Sequence, residues 1–266
     1  MTDHRTQFEK ALNGEQLAAV LAPDGPILVL AAAGTGKTRT LVYRVAHLVF
    51  SGVPPEQILL LTFTNKAARE MLDRAEQLVG PGVSSLWGGT FHHMANRILR
   101  RHAELLGYRP DYTILDSDDS ESLMKKVVKE LKVDSELFPK PAVLLSAISH
   151  AANTEKPLRD VVEARLPDLL EDNAAAVLDA AGRYGEAKLR IGAMDFDDLL
   201  VNGLKLFREH PDVLRHYQSR FRHVLVDEFQ DTNAIQCEWV DRIAGVHRNL
   251  LVVGDDFQSI YSWRGA

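Results

Sequence analysis

Short apolar runs alternate with longer stretches of helical periodicity along this chain. Ile27-Leu28-Val29-Leu30 reads as a strand, and Leu41, Val42, Val45, Leu48 and Val49 then recur at helix spacing. Ile58–Phe63, Ser85–Phe91, Val224–Asp227 and Leu250–Gly254 are further strand-like segments. Most are bounded by turn residues or followed by helical periodicity, which predicts a parallel α/β sheet. From about His92 to Tyr217 there is almost no strand signal, and the pattern predicts a succession of helices. One begins near Asp116 or Ser117, with Asp118 and Asp119 in its acid-favouring first turn and Leu123, Val127 and Leu131 forming one apolar stripe. Pro141 suits a first helical position, followed by Val143, Leu144, Ala147 and Ile148. Pro139, Pro141, Pro157 and Pro167 punctuate the segments. The picture is a sheet-based domain carrying a mostly helical insertion.

Composition narrows the class. With 266 residues, 45% hydrophobic and 26% charged, the chain has the make-up of a soluble globular protein with a full core. No apolar run approaches the roughly 18 residues that span a bilayer, and Met1-Thr2-Asp3-His4-Arg5 lacks the apolar core of a secretory signal. The single cysteine, Cys237, excludes an internal disulfide framework and fits a reducing cytosol; it reads as a small buried residue on a helix. The net charge of −6 argues against electrostatic wrapping of a duplex. A narrow groove tracking one strand needs only a few cations, amides and aromatic rings.

The candidate chemistry sits where strands end. Ala31-Ala32-Ala33-Gly34-Thr35-Gly36-Lys37-Thr38 lies between the first strand and the first long helix. There, backbone N–H groups and a helix N-terminus can cradle phosphates. Lys37 would reach the β/γ-phosphates and the Thr38 hydroxyl would take a position on Mg²⁺. The general pattern for such a loop begins with Gly, and this chain has Ala31. Far downstream, His223-Val224-Leu225-Val226 reads as a buried strand ending in Asp227-Glu228. Asp227 suits the second Mg²⁺ contact, and Glu228 can take a proton from attacking water. NTP hydrolysis is the expectation.

Two other clusters offer aromatic rings. Phe63, Thr64 and Asn65 run off a strand into a helix; Phe63 reads equally as the last core residue of its strand or as a ring for a base. Tyr261, Trp263 and Arg264 make a stacking platform for unpaired bases, or ordinary packing.

Seven stretches taken in order resemble the amino-terminal half of the UvrD/Rep/PcrA-type superfamily 1 DNA helicases. They are Leu12–Gln16, Ala33–Thr38, Thr62–Ala68, Gly89–His92, Asp195–Leu200, Val226–Thr232 and Gln258–Ala266. The resemblance spans essentially the whole chain. It implies a RecA-like P-loop NTPase fold, α/β with a parallel sheet flanked by helices, and an inserted mostly α-helical subdomain. Residues 1–91 and 216–266 would form the nucleotide core and 92–215 the insertion. The cofactors implied are ATP and Mg²⁺. Gln16 would read adenine, with Arg39 near the base; Ala33, Gly34, Thr35, Gly36, Lys37 and Thr38 would hold the phosphates, with Mg²⁺ on Thr38 and Asp227. Lys37, Asp227, Glu228 and Gln258 would be catalytic, Gln258 sensing the γ-phosphate. Phe63, Thr64, Asn65, Thr90, His92, Tyr261, Trp263 and Arg264 would line a single-stranded DNA track. His92 also reads as a hydrogen-bonded structural histidine. Asp195, Asp197 and Asp198 read as a solvated helix start rather than a second metal site.

The function so implied is that of an ATP-dependent 3′→5′ DNA helicase that translocates on single-stranded DNA, engages single-strand/duplex junctions and unwinds duplex in repair or replication restart. The motor of a recombination helicase–nuclease and a non-catalytic nucleotide- and strand-binding module are the alternatives. A bacterial-type cytosol, in association with the nucleoid and not with a membrane, is the expected location. Helicases of this type hydrolyse ATP between two RecA-like domains, and the second is absent from these 266 residues. An arginine finger is worth about 10³–10⁵ in rate in related phosphoryl transfer. The fragment alone is therefore expected to bind ATP·Mg²⁺ weakly, turn it over poorly and not unwind duplex.

Overall fold

The computed structural model describes residues 4–32, 34–131, 133, 138–167 and 171–255. In chain order the elements are α1 (His4–Ala11), α2 (Gly14–Leu21), β1 (Ile27–Leu30), α3 (Lys37–Phe50), β2 (Ile58–Thr62), α4 (Asn65–Val79), β3 (Trp87–Thr90) and α5 (Phe91–His102). There follow β4 (Thr113–Ile114), α6 (Ser117–Leu131), α7 (Pro141–Thr154), α8 (Leu158–Arg165), α9 (Glu171–Arg190) and β5 (Ala193–Met194). The chain then runs through α10 (Phe196–Glu209), α11 (Pro211–Arg220), β6 (His223–Val226), α12 (Ala234–Ala244) and β7 (Leu250–Gly254).

Among the described residues the main sheet has five strands in the order β1-β7-β6-β2-β3, and every pairing is parallel. β2 and β6 are buried along their whole length, as strands covered on both faces must be. Alternation divides the sheet between two helical layers. Leu59, Leu61, Val224 and Val226 face α5, α10, α11 and α12, whereas Ile58, Leu60, Leu225 and Leu251 face α3 and α4. A parallel sheet with helices on both faces is the fold the sequence predicts.

The helical excursion is not uniform in its packing. Met124, Val127, Leu144, Val162 and Tyr184, from α6 to α9, share a core of their own. Phe91, Met94, Ile98, Leu199, Leu204 and Phe207, from α5 and α10, belong instead to the core on the sheet. Local signals set the helix ends: Asp116 accepts from the Asp119 N–H at 2.9 Å at the start of α6, and Pro141 opens α7.

Several details depart from the sequence expectation. The excursion contains β4 and β5, a parallel pair of two residues each, too short to leave a periodic signal. Residues 81–85 form a 3₁₀ turn, so β3 begins only at Trp87. Phe63, Phe91 and Asp227 lie one step past their strands. On β1, Ile27 and Val29 pack inward while Leu28 and Leu30 are 63% and 61% exposed. Cys237 lies on α12 as expected but is only half-buried, its Sγ 3.2 Å from Thr232 Oγ1. Asp195 and Asp198 do start a helix, as a capping box on α10, yet they are not solvated. Lys188 Nζ, itself buried, reaches both at 2.6 Å, and the Tyr184 hydroxyl donates to Asp195 at 3.0 Å. That lysine comes from the last turn of α9, seven residues before Asp195, and no pattern within 195–198 announces it. Among the described residues no helix is long and apolar enough to cross a membrane.

At Gly203, α10 packs tightly against α12 and α5. A Cβ there would stand 3.3 Å from the Trp239 indole nitrogen and 3.5 Å from Ala95 Cβ. Gly203→Val is expected to destabilise the chain by about 1–3 kcal/mol through overpacking, read from urea unfolding against the parent.

Candidate nucleotide site and adjoining groove

The phosphate-loop candidate leaves the C-terminal end of β1 and enters α3. Gly34 and Gly36 adopt φ of 74° and 91°, a left-handed conformation open to glycine at little cost. At Gly36 a Cβ would also stand 2.5 Å from Gln16 Nε2. Ala31 has no positive φ, and its N–H donates to Gly254 O at 3.0 Å, so a methyl group is tolerated there.

β1 and β6 flank β7, and this order brings the distant parts together. Lys37, in the first turn of α3, is buried and donates from Nζ to Glu228 Oε2 at 2.7 Å. Gln230 Nε2 donates to the same oxygen at 2.8 Å, while Gln230 Oε1 accepts from the Asp255 N–H at 2.9 Å. Glu228 sits at φ 51°, a turn that lifts its side chain off the strand end. Asp227 is 3% exposed, its N–H donating to Leu61 O at 2.9 Å and its Oδ1 accepting from the Glu228 N–H at 3.1 Å. Burial and the neighbouring Glu228 charge push its carboxyl up to about 6, against the opposing pull of the Glu228 N–H and Lys37. A buried carboxylate with no ion-pair partner among the described residues, on a sheet edge that also carries a threonine after the loop lysine, fits a divalent ion. Thr38 and Asp227 would hold it.

Gln16 stands beside this loop. It completes a capping box with Asn13 at the start of α2, and its Nε2 donates to Thr35 O at 2.7 Å. Arg39 is exposed and donates to Ala11 O at 3.3 Å. Ala33, Gln258, Tyr261, Trp263 and Arg264 lie outside the described residues.

The remaining candidates gather at the ends of β2 and β3, whose register pairs Thr62 with Thr90. Thr64 caps α4 by accepting from the Ala67 N–H at 3.1 Å, and Thr90 caps α5 by accepting from the His93 N–H at 3.2 Å. Asn65 is exposed in the first turn of α4. Phe63 is half-buried, edge-on to Phe91 with ring centres 6.1 Å apart. With His92 it also borders a groove of about 490 Å³ that continues to Ser117, Phe196 and Asp231.

Two residues here escape sequence reasoning. Phe196 is 55% exposed and meets the His92 ring edge-on at 6.3 Å. An aromatic ring among acids at the first position of a helix was the available signal. Gln230, which ties Glu228 to the end of β7, had none, because its second partner comes from a distant strand.

The chain matches known proteins over almost its whole length. A family model for the UvrD/REP helicase N-terminal domain matches residues 12–266. An ATP-dependent DNA helicase PcrA from Staphylococcus aureus is 42% identical over 256 residues, covering 96% of this chain and 34% of that protein. An ATP-dependent DNA helicase PcrA from Staphylococcus epidermidis is 43% identical over 258 residues, covering 97% and 35%. The chain thus spans about a third of the length of the curated relatives it matches.

The Asp227 carboxyl sets a pH dependence. Below about 6 it carries a proton that a cation must displace. Mg²⁺-dependent binding of a fluorescent ATP analogue should therefore be flat above that pH and weaken about tenfold per unit below it, for one proton exchanged. Asp227→Asn should remove both the Mg²⁺ component and its pH dependence.

Proposed function

We propose, since the chain belongs to the UvrD/REP helicase N-terminal domain family, that it is the ATP-binding front part of a motor that translocates 3′→5′ on single-stranded DNA. Coupled to a second RecA-like domain, the motor unwinds duplex at single-strand/duplex junctions in repair or replication restart. The nucleotide core comprises the main sheet with its flanking helices, and α6–α9, with their separate core, make up the body of the insertion within 92–215. The meeting of Lys37 with the acid pair at the C-terminal edge of the parallel sheet carries this reading. Nucleotides bind at that edge in open α/β sheets.

Lys37 neutralises Glu228. A triphosphate in the loop offers Lys37 a more highly charged partner, and Glu228 is released to its task. Glu228 then orients a water molecule and accepts its proton as the water oxygen bonds to the γ-phosphorus and the bond to the β–γ bridging oxygen breaks. Thr38 and Asp227 would hold Mg²⁺, which would supply charge neutralisation to the phosphate oxygens. Gln16, already bonded to the loop at Thr35, is positioned to read adenine, and Arg39 flanks it. Loop glycines 34 and 36 leave backbone N–H groups open to the phosphates. Gln258 senses the γ-phosphate, and Tyr261, Trp263 and Arg264 continue the strand track begun by Phe63, Thr64, Asn65, Thr90 and His92. Phe196 adds a stacking ring opposite His92.

Glu228→Gln tests the hydrolytic half. The 266-residue chain should bind a Mg²⁺–ATP analogue, hydrolyse ATP slowly and displace no strand. The variant should keep binding within about threefold and lose the remaining turnover, since it removes a general base worth about 10²–10⁴ in rate. Failure of the parent chain to bind nucleotide would overturn the reading; strand displacement by these residues alone would overturn the need for a second domain.

Phe196→Ala tests the strand half. It should weaken binding of a labelled oligo(dT) by about 1–3 kcal/mol, the worth of one base–aromatic stack, and leave nucleotide binding unchanged. Equal affinity in fluorescence anisotropy would remove Phe196 from the track.

A further inference from the structure

We propose that Asn153 is a positioning residue that ties the acid loop of the nucleotide site to the aromatic groove, so that nucleotide and strand each alter the other's affinity. The inference rests on the reading above and adds the route by which the two sites communicate.

Asn153 lies near the end of α7, on the lobe with its own core, and bridges two elements of the sheet-bound layer. Its Oδ1 accepts from Asn233 Nδ2 at 2.6 Å, and its Nδ2 donates to Asp197 Oδ1 at 2.9 Å and to Ser149 O at 2.8 Å. The amide serves both directions, accepting from the Asn233 N–H and donating to the Asp197 oxygen.

Each end of this bridge is fixed to one site. Asn233 caps α12: its Oδ1 accepts from the Gln236 N–H at 2.9 Å, and its own N–H donates to Gln236 Oε1 at 3.1 Å. A single 3₁₀ turn separates it from Glu228. That turn is held by Asp231 N–H to Glu228 O at 2.9 Å and by the Thr232 hydroxyl to Phe229 O at 2.6 Å. At the other end, Asp197 directly follows Phe196, the exposed ring that meets His92.

Coupling requires an element with two arrangements that both sites bias. The Lys37–Glu228 ion pair is such an element, because Lys37 cannot serve Glu228 and the triphosphate at once. Release of Glu228 lets its left-handed backbone relax. The change passes along the short turn to the Asn233 cap, through Asn153, and on to Asp197 and the ring beside it. By reciprocity, a strand seated against Phe196 acts back on Glu228.

The test is a linkage measurement on the 266-residue chain with Mg²⁺, AMP-PNP and fluorescein-labelled oligo(dT), read by anisotropy. In the parent, AMP-PNP should change the oligo(dT) Kd by at least about fivefold, and in Asn153→Ala the ratio should fall to within about twofold of unity. Any uniform loss of affinity cancels in that ratio. Asp197→Ala should lose the coupling as well, whereas Asp197→Asn, which keeps an oxygen for Asn153, should retain it. This pair decides the matter if Asn153→Ala fails to melt cooperatively. Full coupling in Asn153→Ala or in Asp197→Ala overturns the proposal. So does a parent that binds both ligands without mutual effect, which leaves the reading of the two sites intact. A parent that binds neither ligand overturns that reading and this inference with it.

Discussion

One ion pair organises the functional face of this protein: Lys37 and Glu228, 191 residues apart in sequence, meet at 2.7 Å. Their meeting requires β1 and β6 to end at the same edge of one sheet with only β7 between them. Parallel pairing with regular register supplies this, since every strand then delivers its following loop to the same side. Loop closure becomes only slowly more costly with length, so a long excursion between β3 and β6 is tolerated if its two ends return to the sheet. α5 and α10–α11 make that return by packing directly on the strands. The remaining helices, α6 to α9, are then free to build a core elsewhere.

Two clusters join a buried lysine to acidic side chains, and their difference separates chemistry from architecture. At the start of α10, Lys188 faces Asp195 and Asp198, whose oxygens also accept from each other's N–H groups and, at Asp195, from Tyr184. Such a fully bonded set is a junction, and removing one partner would strand a buried charge. At the end of β6, Asp227 takes one backbone N–H among the described residues while Lys37 turns to Glu228. Burial, and then the neighbouring Glu228 charge, push its carboxyl upward. Burial pushes the Asp198 carboxyl upward as well, so it is the hydrogen bonds and the lysine contact, not the direction of the shift, that separate the two clusters.

Capping explains why the groove residues recur at strand ends. Thr64 and Thr90 each close the N-terminus of a helix with their own side chains, so these helices start at defined points beside Phe63 and His92. Phe63 and His92, within two residues of these caps, border the groove. Phe63 meets Phe91 edge-on and also borders the groove.

The local pieces were legible in the order of residues alone. Apolar runs marked the strands, the Gly34–Thr38 turn marked a phosphate loop, and Asp227-Glu228 after a buried run marked an acid pair, because each depends on neighbours in the chain. Helix starts at Ser117 and Pro141 were legible for the same reason. Only tertiary structure decided the strand order, the burial that raises Asp227, the Lys188 cluster at 195–198 and the exposure of Phe196. It alone decided that Gln230 braces Glu228 and that Asn153 joins Asn233 to Asp197. The strand order and the Asn153 bridge join residues far apart along the chain, and even the Lys188–Asp195 and Gln230–Glu228 contacts follow from how helices and turns pack, which periodicity and motif spacing do not carry.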